Sequence, residues 1–180
     1  MTDGTPALTL RVVRVEDLTA AERKTIIDLC SAAYVERFDH LFDTLPNSIH
    51  VLAYVDDVIV SHAEWVTRWL QPEGEKVLRT AYVEAVATAR EHQRRGFATA
   101  VMRKLSEHID GYDLAALSPS AHHFYERLGW ELWRGPLAIR TERDLLATPG
   151  EEVMILRLAR TRHLDLNSQL TAEWRIGELW

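Results

Sequence analysis

A single cysteine, Cys30, in 180 residues excludes an internal disulfide framework. It falls within an amphipathic helical pattern with no fixed charge partner beside it, which points to core packing rather than a reactive thiol. No apolar run approaches the ~18 residues that a bilayer-spanning helix needs, and the N-terminus lacks the basic-then-apolar layout of a signal peptide. A soluble chain in a reducing, cytoplasmic setting, without a membrane partner, is therefore expected. Positive charge is short as well: 21 Lys and Arg face 27 Asp and Glu, a formal charge of −6. That balance argues against nucleic acid as a partner and leaves room for a cationic substrate. No Cys/His/Asp cluster stands at metal-site spacing, and the neighbours His122 and His123 read as helix-surface residues, so no metal is expected. Gly-Lys-Ser/Thr is missing, which excludes a nucleotide-hydrolysing phosphate loop.

What is present suffices for one core. Hydrophobic residues make up 47% and charged residues 27%, and a chain of this length buries about two-thirds of its unfolded surface. One domain spanning residues 1–180 is expected. Residues 7–15 read as an opening strand. Thr19 and Glu22 form a capping box for a helix from Ala20 to about Arg37, with Ile26, Cys30, Ala33 and Tyr34 at helical spacing. A second short helix from Phe38 to Leu45 stops before Pro46. Strands His50–Val55 and Val58–Leu70 meet at Asp56-Asp57 in a tight turn, and a third runs from Lys76 to Thr88. A helix from Gly96 to about Ile109 carries Phe97, Val101, Met102, Leu105 and Ile109 on one face. Tyr112–Leu117 is a buried strand parallel to the one ending at Thr88. Ser118 caps, and Pro119 begins, a helix ending at Gly129. Trp130–Trp133 and Glu152–Ala159 form a closing strand pair around a long polar excursion, residues 134–151, and the tail from His163 folds back.

The stretch 82–102 organises the rest. A strand feeds a short basic loop and then a helix, so unpaired backbone N–H groups and the positive helix end converge. Gly96 removes a Cβ from the approach, and Arg94 and Arg95 add mobile positive charge. Read alone, this is either an anion cradle or a basic loop capping an ordinary surface helix. Its one glycine cannot make a dinucleotide fingerprint.

Strand, two helices, an antiparallel meander, a βαβ unit, then a helix and further strands describe an α/β domain with a mixed central sheet flanked by helices. The residues Val83-Glu-Ala-Val-Ala87, Gln93-x-x-Gly96-x-Ala98 and Phe124-Tyr-Glu-Arg-Leu-Gly-Trp130, in that order, resemble the motifs of the GNAT acetyltransferase superfamily. Leu117-Ser118, the Trp-Arg-Gly-Pro run ending at Pro136 and the ending Glu173-Trp-Arg-Ile-Gly-Glu-Leu-Trp180 are more narrowly similar to the aminoglycoside 2′-N-acetyltransferases of actinobacteria. The sequence departs from that family at Arg37, between Ser118 and Tyr125, and across residues 140–152.

The resemblance implies acetyl-CoA as cosubstrate, held by Val86, Thr88, Gln93, Arg94, Arg95, Gly96, Phe97, Ala98 and Thr99. It implies that the Val86 main-chain amide polarises the thioester carbonyl, a role indifferent to the valine side chain. Tyr125 becomes the candidate acid for the leaving thiolate. An ordinary phenol would transfer its proton uphill by about 1.5 pK units, or ~2 kcal/mol. Glu84, a carboxylate among Val, Ala and Tyr, is a poor base toward an ammonium and suits a water relay better. The carboxylate of Trp180 competes with Glu84 for that part. Ser118, Glu151, Glu152, Glu173, Glu178 and Trp180 complete the expected acceptor side, suited to a cationic amino sugar. Cys30 gives no support to a covalent intermediate. Acetylation of another amine (a polyamine, small metabolite or peptide N-terminus) and a non-catalytic binding module remain alternatives, and a homodimer rests on superfamily analogy alone.

Overall fold

A computed structural model describes residues 7–180. They divide into two compact units, residues 7–66 with Glu84–His108, and Thr67–Val83 with Ile109–Trp180. The fold class is α/β, with parallel and antiparallel strand pairs and few helices.

In the first unit, β1 (Leu8–Arg14) pairs antiparallel with β2 (Ile49–Val55) from Leu8↔Val55 to Arg14↔Ile49. β2 pairs in turn with the start of β3 (Val58–Pro72), Ile49 opposite Trp65. Asp56 and Asp57 both have positive φ, 49° and 63°. They form the primed two-residue turn that suits strand twist. α1 (Ala20–Tyr34) opens on the predicted capping box: Thr19 Oγ1 accepts from Glu22 N–H at 3.1 Å, and Thr19 N–H donates to Glu22 Oε2 at 2.8 Å. The helix ends three residues before Arg37 because Val35 turns left-handed, φ 58°. The expected second helix shrinks to α2 (Leu41–Thr44).

The last residues of β4 (Leu78–Thr88) also belong to this unit, as does α3 (Phe97–Ser106), shorter than the predicted Gly96–Ile109. α3 packs on β1 and β2 and buries Phe97, Val101, Met102 and Leu105. Each such side chain contributes roughly 1.5–3 kcal/mol.

In the second unit, β5 (Leu114–Leu117) lies parallel to β4 with Thr80↔Leu114, as predicted. β9 (Met154–Arg157) pairs antiparallel with β5 and with β6 (Glu131–Leu132), which forms the expected closing pair. α4 (His122–Glu126) starts four residues later than Ser118. Residues 118–121 stay irregular, and Ala121, not Ser118, precedes the helix with φ −152°. α4 ends at Glu126, three residues short of the predicted Gly129; the turn that follows closes at Gly129, where φ is 87°, and Trp130 N–H reaches back to the Tyr125 carbonyl at 3.2 Å.

Residues 134–151 are more ordered than a polar excursion, holding a hairpin of β7 (Leu137–Arg140) and β8 (Leu145–Ala147). The tail folds back as β10 (Leu170–Glu173), parallel to β7 and antiparallel to β3. A Cβ at Gly135, within the Trp-Arg-Gly-Pro run, would lie 1.8 Å from the Ser168 carbonyl oxygen, so only glycine lets the two backbones approach. No helix among the described residues is long and apolar enough to cross a membrane.

Candidate active site

β4 does not run straight into its loop. Ala85 takes φ 49°, a left-handed conformation that costs a non-glycine residue about 1–2 kcal/mol, and it kinks β4 just before Val86. Three side chains of the same unit hold this kink. His62 Nδ1 donates to the Ala85 carbonyl at 2.9 Å, the Cys30 thiol lies 3.8 Å from the same oxygen, and the Tyr34 hydroxyl donates to the Val86 carbonyl at 3.0 Å. Cys30 and Tyr34, four residues apart on α1, therefore face the kink together.

Beyond it, Thr88 Oγ1 meets Ser61 Oγ at 2.8 Å, and Gln93 Nε2 reaches the Thr88 carbonyl at 3.4 Å. Arg94 and Gly96 are both left-handed, with φ 60° and 85°. Such turns gather N–H groups toward one side. The first bond of the α3 ladder runs from Ala100 N–H to the Gly96 carbonyl at 2.9 Å. The amides of Phe97, Ala98 and Thr99 thus precede the ladder and remain available to an anion. Space where a Gly96 side chain would stand is open within 4 Å. Arg90, Arg94 and Arg95 are exposed, with Arg95 Nη1 3.0 Å from His92 Nδ1. The Phe97 ring is buried, so its contribution to a ligand is its main chain.

In the second unit, Tyr125 lies on α4, 4% exposed, edge-on to Phe124 and Trp130. Burial pushes its hydroxyl up to about 12, against a hydrogen bond with Ser120 that pulls it down. Ser118 is exposed just before this helix, and Glu152 lies 3.2 Å from His122 on it. Trp180 is buried, its indole N–H donating to Thr148 Oγ1 at 2.8 Å. Glu173 is held internally: Oε2 accepts from the Trp69 N–H at 3.0 Å and Oε1 faces Arg68 Nε at 3.4 Å. The Glu178 carbonyl accepts from Arg175, whereas Glu151, like Glu178, is exposed. Glu84, in the first unit, is half-buried.

A polar group that sequence reasoning missed lies in the core of the first unit. Ser48, His50, His62 and Glu64 are all at or below 1% exposure. Desolvation drives His50 to about 2 and His62 to about 4, and it raises Glu64 to about 8 with further help from the negative charge of Glu84. At pH 7 both rings are neutral and Glu64 is mostly protonated. His50 Nε2 stands 3.4 Å from Glu64 Oε2, but neither carboxyl oxygen makes a well-aligned hydrogen bond. His50, His62 and Glu64 each bring a potential ligand atom within 4.8 Å of the others, so they are the described residues able to gather around a metal ion. Their ring nitrogens are instead engaged with one another, His50 Nδ1 to His62 Nε2 at 2.9 Å. The available signal was two histidines in otherwise apolar strands.

Comparison with known proteins identifies the family. Residues 14–133 match the family model "Acetyltransferase (GNAT) domain". The chain is 30% identical over 180 residues to an aminoglycoside 2′-N-acetyltransferase of Mycolicibacterium fortuitum, covering 96% of this chain and 92% of that protein. Among solved structures, the GNAT family N-acetyltransferase YhbS from Escherichia coli, crystallised with CoA, superposes with a TM-score of 0.66 at 16% identity over 96% of both chains. Eis1 from Mycobacterium abscessus gives 0.62 at 23% identity over 73% of this chain, which spans about a third, 32%, of Eis1. The chain belongs to the GNAT acetyltransferase family, and it is an acyl-CoA-dependent N-acetyltransferase.

Proposed function

We propose that this enzyme, acting as one catalytic domain over residues 1–180, moves acetyl from acetyl-CoA to the 2′-amine of an aminoglycoside by direct attack in a ternary complex. The observation that carries the reaction is the left-handed kink at Ala85, whose carbonyl is held by His62 beside the N–H-rich loop 93–99. The acceptor rests on the likeness to the Mycolicibacterium fortuitum enzyme.

The pyrophosphate sits on the amides of Phe97, Ala98 and Thr99, with Gln93, Arg94, Arg95 and Gly96 around it and Thr88 at the strand end. The amine lone pair attacks the thioester carbon, and negative charge on the carbonyl oxygen is met by the Val86 N–H. Collapse breaks the C–S bond and releases the CoA thiolate, which takes a proton from Tyr125. Glu84 orders the water that removes the proton from nitrogen. Against a free thiol near 8.5, a tyrosine at about 12 transfers its proton uphill by roughly 5 kcal/mol. A thiolate released away from water has its own proton affinity raised, which narrows the gap. Ser118, Glu151, Glu152, Glu178 and Trp180 serve the cationic acceptor. Glu173, tied to Arg68, serves it by holding the tail.

Release of free thiol from acetyl-CoA across a panel of amines tests the acceptor. Turnover should be highest with aminoglycosides bearing a 2′-amine. No turnover with any of these, alongside turnover with a polyamine or peptide N-terminus, rejects the 2′ assignment and keeps the acetyltransferase.

A further inference from the structure

Ser48, His50 and His62 form a file of hydrogen bonds with one polarity, and that polarity follows from its last member. Ser48 Oγ is 2.9 Å from His50 Nε2, His50 Nδ1 is 2.9 Å from His62 Nε2, and His62 Nδ1 is 2.9 Å from the Ala85 carbonyl oxygen. A carbonyl oxygen only accepts, so His62 carries its hydrogen on Nδ1. Both rings are neutral because burial disfavours the charged form. His62 Nε2 is then bare and accepts from His50 Nδ1–H, which leaves His50 Nε2 bare to accept from the Ser48 hydroxyl. Hydrogens run from Ser48 to Ala85 without a break.

The file ends on a peptide with a job. Ala85 C=O and Val86 N–H belong to one planar trans unit and point in opposite directions, so a donor fixed on the oxygen aims the amide on the other side. A carbonyl that accepts a hydrogen bond also makes its own N–H a stronger donor. The left-handed Ala85 needs such holding, since an unsupported strained residue relaxes. Tyr34 fixes the next carbonyl, that of Val86, at 3.0 Å.

We infer that Ser48, His50 and His62 are positioning residues for acetyl transfer, holding and polarising the Ala85–Val86 peptide so that its amide meets the thioester oxygen. This rests on the oxyanion role proposed above for the Val86 amide. All three are buried, so none is open to substrate.

The experiment uses the full chain, labelled with ¹⁵N, and has two arms. Long-range proton–nitrogen spectra at pH 7.5 should show His50 and His62 as Nδ1–H tautomers in the unmodified protein, and an Nε2–H tautomer at His62 overturns the inference without any variant having to fold. The Val86 amide resonance should move in His62→Leu and return toward its original position in His62→Asn, whose amide nitrogen can stand in for Nδ1; an unmoved resonance in His62→Leu also overturns it. In the kinetic arm, His62→Leu should lower kcat about 10- to 100-fold, less than complete loss of an oxyanion donor, while leaving the acetyl-CoA dissociation constant within about threefold. His62→Asn should recover most of that loss. A displaced Val86 resonance with unchanged kcat overturns the positioning role in catalysis. Because the spectroscopic arm needs no turnover, inactivity of the unmodified chain toward every amine counts against the proposed reaction and leaves the hydrogen-bond file to be judged by the spectra.

Discussion

Arg68 and Glu173 are joined twice: Nη2 of the buried guanidinium donates to the Glu173 carbonyl at 2.8 Å, and Nε faces its carboxylate at 3.4 Å. Nη1 of the same arginine takes the Leu179 carbonyl at 2.8 Å, so one side chain spans the tail from β10 almost to Trp180. Its plane also lies over the Tyr82 ring, 4.8 Å from the centroid. Arg68→Leu should destabilise the fold by about 2–4 kcal/mol, because two carbonyls and a carboxylate lose their donor. Arg68→Lys should recover little, since an ammonium cannot present the three-pronged fork. Urea unfolding of the three proteins measures this. If the tail serves the acceptor, Arg68→Leu should also raise the acceptor KM more than that of acetyl-CoA.

Gly96→Val should weaken acetyl-CoA binding by at least tenfold. A β-branched residue disfavours φ 85°, and its branches would occupy the open approach to the Phe97–Thr99 amides. Arg94→Gln should weaken binding less, by about two- to fivefold, and the difference should shrink as salt is raised, because the exposed guanidinium acts through a screened charge. Calorimetric titration with acetyl-CoA at two ionic strengths separates the two.

Tyr125→Phe should lower kcat by about 10²–10³-fold and leave the acetyl-CoA dissociation constant within about threefold, the range expected for loss of a positioned acid. With its hydroxyl at about 12, Tyr125 stays protonated throughout ordinary assay conditions and should put no break in the rate profile below pH 9. Unchanged turnover in the variant removes the acid assignment.

The buried cluster also sets how stability depends on pH. His62, at about 4 against 6.5 for a free imidazole, and His50, at about 2, bind protons in the unfolded chain that the folded chain refuses. Stability from these rings is present above about 6.5 and is lost as pH falls. Glu64 runs the other way: at about 8 against 4.5 when free, it keeps a proton on folding that the unfolded carboxyl has released. Its contribution is present below about 4.5 and is lost as pH rises toward 8. Between about 4.5 and 6.5 two imidazoles outweigh one carboxyl, and above 6.5 the carboxyl acts alone. The cluster therefore favours a stability that peaks near pH 6.5 and declines on the alkaline side by up to ~1.4 kcal/mol per pH unit, with the thermal midpoint following it. Glu64→Gln should flatten the alkaline decline and leave the acid side in place; calorimetry between pH 5 and 8.5 tests both limbs.

Most of the features legible in the sequence depend on residues a few positions apart. Thr19 and Glu22 had to make a capping box, Asp56-Asp57 a tight turn, and Phe97, Val101, Met102 and Leu105 one buried face, because helix and turn geometry bring near neighbours together whatever lies around them. The strand, basic loop and helix start around residues 93–99 belong to the same class. Tertiary structure alone decided what those local pieces lean on. His62 reaches Ala85 across 23 residues, and Arg68 reaches Leu179 across 111, through strand pairings that carry no short-range signature. Cys30 packs in the core as its helical spacing promised, and tertiary structure alone set its thiol 3.8 Å from the Ala85 carbonyl. Helix α4 shows the reverse failure: Ser118-Pro119 is a sound local start signal, yet the chain stays irregular until His122. What an isolated stretch prefers is a matter of a kcal/mol or so, and the packing of distant strands outweighs it.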